Sequence, residues 1–259
     1  MRVATWNVNS IKAHLEAVTR WLREAKPDIV CLQEIKCEEQ GFPAAVFEDL
    51  NYNMAVLGQK TYNGVAILSK FPLENIVRGL PGGNSDGQSR YIQATVMDGS
   101  RSVTVASVYA PNGNPTDSPK YTYKLEWMDR LIAHAKALLK LEEPFVLAGD
   151  YNVIPTERDA KTPSQWVKDA LFLLTTRAKF RELEALGLTD AFRALQPTAA
   201  NQFTYFDYQG GAWQRQNGIR IDHAMLSPQI ADRLTGVHIE KHVRGWEKPS
   251  DHVPLVVDL

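Results

Sequence analysis

The chain has 259 residues, 44% of them hydrophobic, which fits one large domain or two small ones and suffices to bury roughly 70–75% of the surface an unfolded chain exposes. Disordered and fibrous classes are excluded. The 29 Lys+Arg against 30 Asp+Glu leave a formal charge of -1, so no global positive field advertises nucleic acid or anionic membrane, and any polyanion must be met locally. Cys31 lies in an apolar run and Cys37 among charges; this argues against a disulfide framework and against zinc held by paired CxxC motifs, and for a reducing cytosol. The first residues carry no apolar leader core, and no run of about 18 apolar residues occurs. The expectation is a soluble cytoplasmic protein.

Residues 2–8 read as a short strand, and Ser10 is the expected N-cap of an amphipathic helix with Ile11, Leu15, Val18, Leu22 and Ala25 on one face. Lys26-Pro27-Asp28 stops it. Residues 29–32 form an apolar run rich in β-branched side chains, suited to a strand buried on both faces, and deliver Gln33 and Glu34 at its end. Shorter apolar runs at 52–57, 65–69, 91–96 and 103–109, separated by Gly, Asn, Asp and Pro, have the rhythm of consecutive strands. Leu125, Met128, Leu131, Ile132, Ala135, Leu138 and Leu139 recur at helical spacing until Glu142-Glu143-Pro144 ends the element. Residues 145–148 are again a strand, delivering Gly149-Asp150-Tyr151-Asn152. Residues 177–186 read as helix, 202–208, 218–226 and 253–259 as strands, and 156–165 and 209–218 as loops. With no linker between halves, one α/β domain over 1–259 is expected.

Acids and amides recur where apolar strands end: Asn7 and Asn9, Gln33 and Glu34, Asp150 and Asn152. Such residues are poor strand formers and costly to bury unpaired, so their repetition suggests a shared polar cleft. Carboxylates, amides and water suit Mg²⁺ or Mn²⁺, and Mg²⁺ keeps open positions for substrate phosphates. Ordinary capping of strand ends competes with this reading for any single residue. His252, beside Asp251 and between prolines, has a setting in which an imidazole titrates near neutrality, and Asp222 could orient it through the other ring nitrogen. His14, His134, His238 and His242 lack such company and are expected on solvated helices or loops.

No G-x-G-x-x-G or G-x-x-x-x-G-K-[ST] loop and no G-x-S-x-G elbow is present, and Cys31 has no activating base nearby in sequence. Activated water is then the natural nucleophile. A cation that neutralises phosphoryl oxygens, a carboxylate and an imidazole describe hydrolysis of a phosphate ester.

Taken together, Thr5-Trp6-Asn7-Val8-Asn9, Leu32-Gln33-Glu34-Ile35-Lys36, Tyr62-Asn63-Gly64-Val65-Ala66, Val108-Tyr109-Ala110-Pro111-Asn112-Gly113, Gly149-Asp150-Tyr151-Asn152, Arg220-Ile221-Asp222 and Pro249-Ser250-Asp251-His252 resemble the exonuclease III-type AP endonucleases of the wider endonuclease/exonuclease/phosphatase superfamily. The resemblance runs nearly end to end. It implies a four-layered α/β sandwich, two packed β-sheets flanked by helices, and a Mg²⁺- or Mn²⁺-dependent DNA repair nuclease. Such an enzyme cuts 5′ to abasic sites in double-stranded DNA and processes 3′ ends, with no membrane partner and as a monomer. The competing readings are a superfamily phosphatase acting on small or lipid phosphoesters, and a non-catalytic DNA-binding module of the same fold.

By that resemblance Glu34 is the principal metal carboxylate, with Asn7 nearby and Asp251 a direct or water-mediated ligand. Asp150 positions or deprotonates the attacking water, Asn152, Tyr109 and Asn112 hold the scissile phosphate, and His252, oriented by Asp222, stabilises charge on a phosphoryl oxygen. Asn9 stands where some members carry aspartate, which favours one metal over two. Tyr205, Ile219 and Ile221 are the expected pocket for an extrahelical abasic sugar; related enzymes often carry tryptophan at position 205 or 219, and this chain has it at neither. On a strand, Phe203 and Tyr205 share a face and Phe206 points away. Lys36, Lys60, Arg90, Lys120, Arg215 and Arg244 are the basic residues expected to meet DNA phosphates.

Overall fold

Side-chain alternation along the strands decides the layering. The computed structural model describes residues 1–83, 86–99 and 101–259. In chain order it contains β1 (Arg2–Asn7), α1 (Leu15–Ala25), β2 (Ile29–Gln33), α2 (Ala44–Glu48), β3 (Asn53–Leu57), β4 (Val65–Ser69), β5 (Leu73–Arg78), β6 (Tyr91–Asp98), β7 (Arg101–Tyr109), α3 (Pro119–Leu139) and β8 (Phe145–Asp150). After these come α4 (Leu174–Ala185), β9 (Thr189–Asp190), α5 (Ala191–Leu195), β10 (Asp222–Leu226), α6 (Pro228–Ala231), β11 (Gly236–Ile239) and β12 (Leu255–Asp258). Two six-stranded sheets result, ordered β11-β12-β1-β2-β4-β3 and β5-β6-β7-β8-β10-β9. Each holds one parallel pair, β1 with β2 and β7 with β8, joined by α1 and α3 respectively. Parallel neighbours require such a crossover.

Inward-facing Val3, Ile29, Cys31, Val65 and Ile67 of the first sheet meet Ile92, Ala94, Val105, Val146 and Ala224 of the second in a buried core. The opposite face of the first sheet, with Trp6, Val30, Leu32 and Leu68, packs against Val18, Trp21 and Leu22 of α1. That of the second, with Ala106, Val108 and Leu147, takes Trp127, Leu131 and Ala135 of α3 and Phe180 of α4. The expected α–β–β–α sandwich is therefore the architecture. Burial of each large apolar side chain contributes about 1.5–3 kcal/mol before chain entropy is counted.

The topology gathers the polar strand ends. The carboxyl ends of β1, β2, β7 and β8 lie together with the amino ends of the antiparallel β10 and β12, and in register Asp222 sits opposite Asp150, which sits opposite Tyr109. Gly149 permits the close β7–β8 approach just before Asp150, since a Cβ there would lie 1.8 Å from the Val108 carbonyl oxygen.

Several boundaries differ from the sequence reading. The first helix starts at Leu15, not after Ser10: residues 9 and 10 take left-handed φ of 44° and 92°, and the Ser10 hydroxyl accepts only from Ala13 in the turn that precedes the helix. Residues 202–208 are not a strand. Tyr205 makes isolated bridges to Ile219 and His252, and Phe203 and Phe206, expected on opposite faces, pack edge-to-face at 6.2 Å. The run expected at 218–226 is strand only from Asp222. β5 and β11 escaped the reading because their half-exposed positions show no clear apolar run.

Behind the site lies a buried ionic cluster. Arg220, fully buried, donates to Asp159 at 2.7 Å, to Asp190 at 2.9 Å and to Nδ1 of His223 at 2.9 Å, while His223 Nε2 donates to the Val153 carbonyl at 3.0 Å. Burial first, and the Arg220 guanidinium second, hold the His223 imidazole down at about 4. An unfolded histidine binds its proton near pH 6.5, so between the two values the unfolded state holds the extra proton and stability rises with pH. Stability is accordingly lost as pH falls from about 6.5 to about 4, by up to about 3 kcal/mol. Urea melts across that window should show the loss in the parent and a flatter profile in His223→Gln; parallel profiles would contradict the assignment.

Candidate active site

A cavity of about 210 Å³ opens at the shared strand ends, lined by Glu34, Tyr109, Asn112, Asn114, Asp150, Asn152, Trp166, Asp169, Leu171, Tyr205, Ile221, Asp251 and His252. Its floor is a continuous chain of contacts. Asn7 is fully buried at the end of β1, and its amide nitrogen donates to Glu34 at 2.8 Å and to Asp150 at 3.0 Å. Asp150 Oδ2 lies 3.9 Å from His252 Nε2, and His252 Nδ1 donates to Asp222 Oδ2 at 2.9 Å. Among the described residues Asp222 Oδ1 is buried without a partner.

Local backbone aims these groups. Glu34 and Asn152 leave their strands with φ of 51° and 49°; non-glycine residues rarely adopt this region, and it recurs at functional sites. The Asn152 N–H donates to Asp150 Oδ1 at 2.9 Å, turning the chain back beneath the carboxylate. His252 is held from behind: the Trp6 indole donates to its carbonyl at 3.0 Å, its N–H donates to Ser250 Oγ at 3.1 Å, and Ser250 donates to the Asn7 carbonyl at 2.8 Å. The Tyr205 ring stands edge-on to the imidazole at 5.0 Å.

The electrostatics follow from burial. Desolvation pushes Asp150 up, and Asp222 adds to this while the His252 imidazolium opposes it. Desolvation works against the His252 cation, but Asp222, by charge and by hydrogen bond, then Asp150 and Asp251, carry its pKa well above that of a free imidazole. Burial alone would raise Glu34, yet Lys36 at 2.9 Å and the Asn7 amide bring it below the usual carboxylate range. Tyr109 is raised, by burial and then by Glu34, and stays a hydroxyl donor.

Asp150, Asp222 and His252 present ligand atoms within 4.8 Å of one another. Within that group His252 Nδ1 and Asp222 Oδ2 are already bonded to each other at 2.9 Å. The imidazolium has no free lone pair, and Asp222 Oδ2 is already committed to it. Glu34, Asn7 and Asp251 supply further oxygen atoms, the donor type a hard cation takes, and these accept from Asn7, Lys36 and Asn9.

The model of the Endonuclease/Exonuclease/phosphatase family matches residues 4–252. The chain belongs to that family. It is 33% identical over 98% of its length to Exodeoxyribonuclease III of Haemophilus influenzae, 98% of which is covered. Among solved structures, a 3′ phosphatase from Neisseria bound to a product DNA hairpin is 38% identical with a TM-score of 0.94, covering 100% of this chain and 99% of that one. An AP endonuclease from Archaeoglobus fulgidus is 35% identical with a TM-score of 0.92, covering 99% and 98%. This family member thus falls with the exonuclease III and AP endonuclease group.

The structure brings Tyr109, Asp150, Asn152, His252, Glu34, Asp251, Asn112, Tyr205 and Ile221 to one cavity, with Asn7 and Asp222 directly beneath. Ile219 is a correction. At 1% exposure it packs with Ile154, Ala160 and Leu171 behind the wall instead of lining it. Arg244, expected at DNA, is buried and donates to the Phe206 and Asp207 carbonyls. Lys36 is paired with Glu34. Arg90 stands at the rim of an adjoining groove shared with Lys120, its guanidinium 4.7 Å from the Tyr109 ring centre; Lys60, Lys120 and Arg215 are exposed. Of the histidines expected on solvated elements, His14 and His134 are half-buried, His14 Nδ1 bonding the Val8 carbonyl at 2.7 Å and His134 Nε2 bonding Gln93 at 2.9 Å. Asn114 was missed, as were Trp166, Asp169 and Leu171. The last three stand beyond a predicted loop with no local pattern to single them out, yet Trp166 brings a tryptophan to the cavity from a segment other than 205 or 219.

Asp222→Asn removes the negative charge opposite His252 Nδ1 without changing shape. In ¹⁵N spectra of metal-free protein the His252 ring should then titrate at lower pH than in the parent; an unmoved titration would disprove the pairing.

Among the described residues no helix is long and apolar enough to cross a membrane.

Proposed function

We propose that this DNA repair nuclease hydrolyses the phosphodiester 5′ to an abasic site in double-stranded DNA and also processes 3′ ends. In this reading it acts as a cytoplasmic monomer with Mg²⁺ or Mn²⁺, with residues 1–259 as one catalytic domain. The observation that carries the reading is the contact chain from Asp222 through His252, Asp150 and Asn7 to Glu34 inside one oxygen-lined cavity. Two free, buried cysteines are consistent with a reducing compartment.

Glu34 and Asn7, with Asp251, would hold the cation, which when bound neutralises charge on phosphoryl oxygen and raises the acidity of water. The chain's own residues account for the rest. Asp150, its basicity raised by burial, accepts a proton from the attacking water, the role for which a carboxylate with an elevated pKa is suited. His252 stays protonated and donates from Nε2 to a phosphoryl oxygen as charge develops there, while Asp222 fixes the ring. Asn112, Asn152 and the Tyr109 hydroxyl donate to the remaining phosphate oxygens and hold phosphorus in line with water and leaving group. Tyr205, Ile221, Leu171 and Trp166 form the less polar wall against which a sugar without a base can lie. A baseless nucleotide costs least to extrude from the duplex, which supplies selectivity.

A duplex carrying one tetrahydrofuran abasic analogue should be cut on its 5′ side with Mg²⁺ and left intact with EDTA; an intact strand in Mg²⁺ rejects the endonuclease reading. Asp150→Asn should lower kcat by about 10²–10⁴-fold while leaving DNA binding in place. Glu34→Ala should raise the Mg²⁺ concentration for half-maximal activity about 10-fold or more. Parent-like kinetics in both variants would refute these roles.

A further inference from the structure

Lys124, on the second turn of α3, is fully buried, a rare condition for lysine. Among the described residues its Nζ donates to two backbone carbonyls, Pro111 at 2.9 Å and Asn152 at 2.7 Å. Burial drives its pKa down to about 7, against the opposing charges of Asp150 and Asp169. A neutral amine has two N–H donors and an ammonium three, so both hydrogen bonds persist in either form.

The two carbonyls belong to separate turns. Pro111 precedes Asn112 in the turn after β7, and Asn152 lies in the turn after β8. Asn152 Nδ2 donates to the Ala110 carbonyl at 2.9 Å, and Asn112 Nδ2 donates to Asn152 Oδ1 at 3.2 Å, so the two amides share one network over the lysine. Gly113 shows how closely the first turn lies on the lysine stem: a Cβ there would fall 2.5 Å from Lys124 Cδ and 3.2 Å from Ala170 Cβ. An apolar side chain at 124 would cost less to desolvate but would leave two buried carbonyls without donors.

We propose that Lys124 is a positioning residue whose amino group ties the turns carrying Asn112 and Asn152 together, holding both amides at the separation that grips the scissile phosphate. The inference rests on the reading of those asparagines as phosphate ligands. Lys124 acts through the turns and does not touch the substrate.

The test compares steady-state cleavage of the abasic duplex in Mg²⁺ by the parent, Lys124→Met, Lys124→Gln and Asn152→Ala, at a temperature where circular dichroism shows each folded. Lys124→Met keeps an unbranched stem one bond shorter and removes the donors; kcat should fall about 100-fold with KM changed by less than about threefold, the signature of misplacement at the reacting centre. Lys124→Gln restores a two-donor group one bond shorter and should recover about 10-fold of that loss. The side-chain amide ¹⁵N signals of Asn112 and Asn152 should move in Lys124→Met and return part-way in Lys124→Gln. Parent-like kcat in Lys124→Met, or equal loss in both lysine variants, overturns the inference. If Lys124→Met does not fold, Lys124→Gln takes its place: kcat must fall at unchanged KM with the Asn112 and Asn152 amide signals displaced, and an unchanged kcat overturns the inference. Full turnover in Asn152→Ala overturns the phosphate-seat reading together with this one, whereas loss there with parent-like Lys124→Met overturns the lysine's role alone.

Discussion

Two carboxylates and one imidazole are withdrawn from water together, and the rest of the site is arranged around that constraint. Asp150 and Asp222 face each other across β8 and β10, at 1% and 0% exposure. Two like charges so placed repel each other unless a cation intervenes. His252, brought in from the segment before β12, is that cation, bonded to one carboxylate at 2.9 Å and 3.9 Å from the other. The arrangement leaves one basic carboxylate oxygen and one acidic N–H facing a single cavity, which is what hydrolysis of a phosphate ester by water requires.

The sandwich delivers these groups by repeating one device. Each sheet contains a parallel pair joined by a helix, and each pair ends in polar residues at the same edge: Asn7 and Gln33 in one, Tyr109 and Asp150 in the other. Rigid, fully buried strands hold the ends, and left-handed turns at Asn9, Glu34 and Asn152 redirect the chain beyond them. The strain of those turns is offset by hydrogen bonds such as Asn9 N–H to Asn7 Oδ1 at 3.0 Å and Asn152 N–H to Asp150 Oδ1 at 2.9 Å. Lys124 extends the same device to the third dimension, linking helix, turn and turn through two carbonyls.

What was legible in the chain was the interior of the sheets and the residues at their ends. Residues 29–32 and 145–148 are uninterrupted apolar runs, and a strand buried on both faces has no other way to read; Glu34 and Asp150 stood out because they come directly after such runs. His252 drew notice by its proline-bounded setting and Asp222 as a carboxylate able to orient it, but nothing local links residues 30 apart in sequence, and their roles at one site came from the resemblance. The failures have physical causes. Residues 202–208 alternate aromatic and polar side chains like a strand, but their backbone bonds go to Ile219, Asp251 and Val253 at isolated bridges, and the two phenylalanines turn to the same core. Arg244 was counted as surface because it is arginine, and its guanidinium instead satisfies carbonyls of a chain reversal. Lys124 lies on the buried face of α3, four and seven residues before Met128 and Leu131, and escaped notice because the pattern was read from apolar side chains alone. Ile219 sits on the expected segment, one layer too deep.

In the proposed mechanism solvent attacks phosphorus under the control of Asp150 and His252, and every other assignment depends on that step. Cleavage of the abasic duplex in H₂¹⁸O under single-turnover conditions, with mass spectrometry of the fragments, tests it most directly. The prediction is one ¹⁸O in the 5′-deoxyribose phosphate of the product and none in the 3′-hydroxyl fragment. Cleavage that leaves the phosphate unlabelled would mean that the strand breaks by another chemistry, and would contradict the roles given to both residues.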